Sequence, residues 1–393
     1  MDTGAYRSVW GLGAARRVLI LGSIVRIPLW AGNVVLTLHL VSHLHRSYAE
    51  AGLVVTAATI ALAVSGPWRG RRVDRLGLRA TVAPCLAVLA VCWAIAPFAG
   101  YWVLMVLACV AGLFAVPVFS VVRQALMAAV PPERRRAALS VDSVMVEISF
   151  MIGPPLGVLL ASTMSTAWAL FICEYASIAG GILLWAANPP MRSPNTESTS
   201  VDTTATFSWR KVAGLLAMSG AAVLVLTGTE VSTVAALRDW DHSPWIGAEL
   251  AVWGLGSALG GLVYGALHRP IPVPLLLAGL GAVTLPLGVA PGPIALGALL
   301  FLAGSCCAPT VTATVDTLSS AVPDHARGEA LGWHGAAMTA GGALGAPLTG
   351  IAIDHAGWQA GFVVPALIGL AIAAAVALPL TARRAELETA GRC

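Results

Sequence analysis

The chain has 393 residues, 58% of them apolar and 11% charged, with a mean hydropathy of +0.82. A water-soluble surface takes roughly 25% charged residues, so this composition excludes a soluble globular protein. The net charge of +4 is carried almost entirely by arginine, since Lys211 is the single lysine, which excludes a phosphate-binding loop built on a Gly-Lys pair and a Schiff-base cofactor held within a span.

A membrane crossing takes about 20 apolar residues to span roughly 30 Å of hydrocarbon. Windows of that size predict spans over 18–41, 51–68, 80–98, 102–130, 137–161 and 167–187. After a polar stretch they predict six more, over 212–237, 246–267, 274–290, 294–322, 330–353 and 360–380. The opening MDTGAYRSVWGLGAARR has no apolar core of its own, so the first span is expected to act as the insertion signal rather than a cleaved leader. Residues 188–211, rich in Pro, Ser and Thr with Glu197 and Asp202, read as a flexible cytoplasmic linker. The expected architecture is an all-α membrane protein of twelve transmembrane helices. They form two pseudo-symmetric bundles, 1–187 and 212–393, the second ending in a short cytoplasmic tail.

Loop charges test that count. With both termini cytoplasmic, the inner segments carry Arg7, Arg16, Arg17, the five arginines from Arg69 to Arg79, Arg134 to Arg136, Arg192, Arg210, Lys211, Arg269, Arg327, Arg383, Arg384 and Arg392. The outer loops carry only Arg46 and Arg238, and Arg26 and Arg123 fall inside spans. This asymmetry follows the preference of basic loops for the cytoplasmic side and would fail if one span were missing. The basic residues therefore report topology, and nucleic acid is not expected as a partner. Trp68, Trp102, Trp168, Trp185 and Trp358 fall near span ends, where an amphipathic ring sits comfortably at the lipid boundary.

The two sets of six repeat. A shift of 192 residues aligns Pro117 with Pro309, Pro131 with Pro323, Arg135 with Arg327, and Gly153, Pro155 and Leu156 with Gly345, Pro347 and Leu348, giving 11 identities in the 40 positions from Pro117 to Leu156. Internal duplication explains this, and two repeated halves about an axis along the membrane normal describe a transporter architecture.

Two local motifs carry a family resemblance. Gly70, Asp74, Arg75, Gly77 and Arg79 form G-x-x-x-D-R-x-G-R between the second and third spans, and Gly153, Pro154 and Gly157 form GP-x-x-G in the fifth. The chain resembles the major facilitator superfamily, in particular a bacterial drug/proton antiporter branch. Arg26-Ile27-Pro28 and the run from Glu147 to Pro154 are similar to that branch. Leu78 departs from the pattern, where a basic residue is usual, and the equivalent loop 261–270 lacks the Asp and nearly all the arginines. The resemblance implies an efflux carrier of the bacterial cytoplasmic membrane, monomeric and without cofactor, whose partners are a small organic substrate, protons and lipid.

Residues that could work a carrier follow from burial. An ionisable side chain in a span is costly, by at least about 2.5 kcal/mol, and faces the bundle interior. Arg26 and Glu147 lie about nine and ten residues into spans that run the same way. At about 1.5 Å per residue they share a depth, and the resemblance makes the two helices neighbours, so an Arg26–Glu147 pair is expected, either static or opened by a proton. Arg123 and Asp142 each lie about seven residues from the loop at Pro131 and form a second set. Asp316 stands at the equivalent level in the second half, and His334 aligns with Asp142. Glu147, Asp142, Asp316 and His334 are thus the proton-coupling candidates, with His334 read alternatively as a packing residue. Glu174 and Glu230 lie toward outer span ends and either line the cavity or reach the headgroups.

The Gly70 to Arg79 segment is read as a gate: Asp74 can cap and charge-complement a helix end across the two halves and Gly77 permits a tight turn, beyond simply holding the loop inside. The Gly153-Pro154 motif is read as a helix bend, or as close packing. Six of the seven cysteines lie in spans without metal-site spacing and are read as packing residues. No catalytic constellation is evident on any span, which argues against an enzyme. The rivals to proton-coupled efflux are a sugar or metabolite uniporter or symporter, and a non-transporting membrane sensor on the same scaffold.

Overall fold

A computed structural model describes residues 3–191, 209–267 and 269–390, without the side chains of 3–5, 48–49, 209–211, 243, 324 and 378–390. Most of the expected linker, including Arg192, Glu197 and Asp202, and the tail residues Arg392 and Cys393 lie outside the described residues, as do the side chains of Arg210, Lys211, Arg383 and Arg384. The helices are α1 (Thr3–Gly11), α2 (Gly13–Leu38), α3 (Tyr48–Ile95), α4 (Tyr101–Leu113), α5 (Val118–Ala129), α6 (Arg135–Thr163) and α7 (Thr166–Ala187). They continue as α8 (Trp209–Asp239), α9 (Ile246–Gly265), α10 (Val273–Thr284), α11 (Pro293–Ala321) and α12 (Arg327–Ala390). No strand occurs among the described residues.

All twelve predicted spans fall on helix, and the exceptions to one span per helix have local causes. α3 holds two spans. Its N-terminus is fixed by a capping box, in which the Ser47 hydroxyl accepts from the Glu50 N–H at 3.2 Å while the Ser47 N–H donates to the Glu50 carboxylate at 3.0 Å. It breaks only at Gly77, with φ 81° and ψ 174°. The expected loop from Gly70 to Arg79 is therefore helical up to that one residue. α12 likewise turns at Ala356 and Gly357, where Gly357 takes φ 78°. The span predicted over 102–130 is instead divided into α4 and α5, because Pro117 has no N–H to continue the ladder. Its repeat partner Pro309 stays inside an unbroken α11.

The duplication is visible in the backbone. Pro131 and Pro323 adopt the same conformation, φ −59° and ψ 153°, each followed by one 3-10 turn and then a long helix starting at Arg135 or Arg327. The chain divides into two compact units. One holds α1 to α7 together with residues 322–336, the start of α12; the other holds α8 to α11 and α12 from residue 337 on.

Lipid offers helices no hydrophobic reason to associate, so close approach through small residues must do it. In the second unit Gly256 and Gly260 of α9 and Gly304 of α11 leave no space for a Cβ, because the facing backbone of Phe301, Ser305 or Trp253 already fills it. In the first unit buried apolar residues pack around Val35, Leu40, Leu104 and Leu170, and around Leu19, Val122 and Leu126. The second is centred on Leu237, Leu300 and Phe362. Trp358 belongs to this last core, 8% exposed against Trp240 and Phe362, and not to the lipid boundary. Trp102 at 69% exposure and Trp168 at 54% do face outward, as do Val64 and Ile294. Nine helical stretches among the described residues are long and apolar enough to cross a bilayer, two of them, at 49 and 51 residues, long enough to do so twice.

Gly77→Ala is expected to destabilise the chain by about 1–3 kcal/mol, the cost of holding a side chain at a glycine-only φ/ψ. No neighbour lies within 4 Å of the added Cβ, so the loss is backbone strain alone and is read directly by thermal unfolding in detergent.

Candidate functional site

The first unit buries three charges together. Arg26 comes from α2, Arg123 from α5 and Asp142 from α6, and all are held out of water. The Arg26 Nη1 donates to Asp142 Oδ1 at 2.6 Å, and Arg123 Nε lies 3.5 Å from Asp142 Oδ2. Arg26 also stacks on the Phe119 ring, 4.8 Å from its centroid. Two cations thus share one carboxylate. The arrangement carries net positive charge, and Nε and Nη2 of Arg26 are without hydrogen-bond partners. Burying charges is repaid only by good pairing, so such a group is sensitive to anything that neutralises its one anion.

The shared depth of Arg123 and Asp142 is confirmed by this geometry. Arg26 is different: the partner found is Asp142, five residues and about 7.5 Å of helix rise before Glu147. The reason lies in side-chain direction. Cα–Cβ bonds tilt toward the helix N-terminus, and a long arginine carries its head further that way than a short acid does. Equal Cα depth therefore places the guanidinium about one turn below its level. Glu147 itself is half-buried.

α2 and α6 can bring these groups together because they nearly touch. A Cβ at Gly153 would meet Trp30 Cβ at 2.5 Å and the Ile27 carbonyl at 2.8 Å, and one at Gly157 would meet the Ala31 carbonyl at 2.7 Å. α6 runs on from Arg135 to Thr163 with Pro154 and Pro155 inside it. What the geometry displays in this motif is close packing. Gly153→Ala is accordingly expected to push α2 from α6 and stretch the Arg26–Asp142 bond, lowering both thermal stability and transport; a variant matching the native chain in both would contradict this.

The Asp74 segment makes a second set of contacts within the same unit. Asp74 Oδ1 accepts from the Gly328 N–H and Oδ2 from the Glu329 N–H, each at 2.8 Å. A carboxylate here satisfies two orphan donors in the first turn of α12 and opposes the positive end of its dipole. Arg71 donates to the Glu329 carboxylate through Nε at 3.0 Å and through Nη2. Arg79 donates to the carbonyls of Trp185 and Ala186 at the end of α7, at 3.3 and 3.1 Å. Its own carbonyl accepts from Trp185 Nε1. Arg75 is exposed. Gly70 lets the backbones meet, since a Cβ there would fall on the Gly328 carbonyl. Gln124, next to Arg123, also faces Gly328, so the two polar clusters are close neighbours.

His334, 1% exposed, lies within electrostatic range of Arg123. Asp316 and Glu230 are half-buried in the other unit, and Glu174 sets its carboxylate against Gly32 of α2. Two features escaped the sequence reading. Arg69, counted there among loop charges, is 2% exposed and folds back on its own helix, donating to the carbonyls of Ser65 and Leu62. Glu249, an acid one turn inside α9, is 4% exposed.

Comparison with known proteins gives the same fold. The chain resembles the human organic anion transporter MFSD10 at a TM-score of 0.73 and 16% identity, over 92% of this chain and 99% of that one. A bacterial homologue of the iron transporter ferroportin, in its outward-facing state, matches at 0.71 and 13%, over 93% and 98%. The E. coli fucose:proton symporter FucP matches at 0.67 and 14%, over 93% and 99%. No curated protein matches at the level of sequence. The profile described as Major Facilitator Superfamily aligns with residues 18–295 and again with 238–392. Together these matches span nearly the whole chain, and the protein, a multi-pass membrane protein with a transporter fold, belongs to the Major Facilitator Superfamily.

Proposed function

We propose that the chain is a proton-coupled efflux carrier for a small, partly apolar organic molecule, working by alternating access in a bacterial cytoplasmic membrane. The halves 1–187 and 212–393 act as the two moving bundles, with 188–211 as a cytoplasmic linker, both termini cytoplasmic, and the monomer as the working unit. The observation that carries the reading is the Arg26–Asp142–Arg123 cluster. A single carboxylate shared by two buried arginines is a place where one proton changes the local balance of charge, breaking the Arg26 bond and freeing a guanidinium. Asp142 is the coupling acid in this reading, and Glu147, Asp316 and His334 are auxiliary stations. Glu174 and Glu230 line the substrate path.

The Asp74 contacts serve as a latch on the start of α12, with Gly70, Arg75, Gly77 and Arg79 shaping it. The GP-x-x-G motif supports the export direction by resemblance. The testing experiment is transport of a panel of dyes and drugs into or out of proteoliposomes bearing an imposed pH gradient. Uphill movement that collapses when the gradient is dissipated is the expected result. Movement indifferent to the gradient would replace this reading with a uniporter.

A further inference from the structure

One pocket lies wholly within the unit that holds α8 to α11. It is an open cavity of about 470 Å³ between α9 and α11, walled by Trp245, Val252, Ile294 and Phe301, with Glu249 in its lining. That volume lies within the range typical of small-molecule sites, roughly 300–1,000 Å³. Glu249 is the one charged group of the lining, and it is buried with its Oε2 lacking any hydrogen-bond partner. Among the described residues, no Arg, Lys or His forms an ion pair with it. Gly297 makes room for this carboxylate, since a Cβ there would meet Oε2 at 2.6 Å. The site lies one turn into the apolar helix Ile246–Gly265, and Ile294 in its lining is 80% exposed.

An unpaired carboxylate in the lining of an aromatic and aliphatic cavity matches one ligand chemistry. Trp and Phe faces attract a cation through the ring quadrupole, most strongly where water is excluded, and the carboxylate supplies the opposite charge. An ordinary metal ion would need further oxygen ligands, which the apolar walls do not offer. The geometry points to a binding site for a lipophilic organic cation at Glu249, with Trp245 and Phe301 as its aromatic walls, independent of the coupling cluster. Such a cation can arrive as a free amphiphile or as the ammonium headgroup of a lipid.

The test uses the full chain in phosphatidylglycerol nanodiscs, with empty discs subtracted, and two probes of one shape and opposite charge, tetraphenylphosphonium and tetraphenylborate. The native chain is expected to prefer the phosphonium by at least about tenfold, and Glu249→Gln to lose most of that preference. Equal binding of both probes, or a variant within twofold of native, overturns the site. Mass-spectrometric mapping of carbodiimide labelling at Glu249 needs no variant: tetraphenylphosphonium should protect the residue, and unchanged labelling counts against the proposal. In discs containing phosphatidylethanolamine, weakened phosphonium binding assigns the site to a lipid ammonium, and unchanged binding assigns it to a free cation.

Discussion

Asp142→Asn is expected to lower folding stability by about 3–5 kcal/mol, whereas Arg26→Met should leave it close to native. The asymmetry follows from the count of charges. Removing the one anion strands two buried guanidiniums, and an uncompensated buried charge costs about that much. Removing Arg26 leaves Arg123 and Asp142, 3.5 Å apart, as a neutral pair, and takes away two donor nitrogens that had no partner. Methionine fills the space beside Phe119 without a charge. Thermal unfolding of both variants in one detergent reads the difference. A more stable Asp142→Asn than Arg26→Met would mean that the carboxylate is not the keystone of the cluster.

Asp74→Ala is the second large effect, and it acts on the conformational balance. The substitution deletes two charge-assisted hydrogen bonds to the Gly328 and Glu329 N–H groups. Bonds to a charged group contribute about 1.5–3 kcal/mol each, and losing a helix cap alone costs roughly 0.5–2 kcal/mol. A net loss of about 3 kcal/mol moves a two-state equilibrium roughly a hundredfold, since each 1.4 kcal/mol is tenfold. Asp74→Asn, able to accept but carrying no charge, should fall between Ala and native. Disulfide cross-linking between cysteines placed at Arg71 and Glu329 reports the latch, with Asp74→Ala expected to slow it strongly. Cross-linking at the native rate in that variant would rule out a latch role.

Much of this molecule was legible in its sequence, because hydropathy and arginine placement are written residue by residue. The apolar helical spans, the repeat at Pro131 and Pro323, and the meeting of Arg123 with Asp142 all follow from spacing. Asp74 was legible as a helix-end complement because a carboxylate opposes the positive end of a helix dipole, and it accepts from two N–H groups at the start of α12. What escaped depends on direction and reach. Arg26 reaches Asp142, nearer the start of α6 than spacing suggests, because spacing gives the depth of Cα and not of a guanidinium. Arg69 looked like a loop charge, yet its flexible stem lets it bond its own helix. Trp358 looked like a boundary residue, yet it packs against Trp240 and Phe362. Glu249 was overlooked because only the packing of α9 on α11 encloses it.

The central claim is that one proton on Asp142 drives the cycle, and it is tested most directly by placing Asp142→Asn and Glu147→Gln side by side in proteoliposomes, using whichever substrate the native chain moves. Each is measured in two modes, uphill transport under a pH gradient and substrate exchange at equal pH. Asp142→Asn is expected to lose at least about tenfold in the gradient-driven mode while still exchanging substrate, and Glu147→Gln to keep most of both. Gradient-driven transport that survives in Asp142→Asn and vanishes in Glu147→Gln would contradict the account and move the coupling acid five residues along α6.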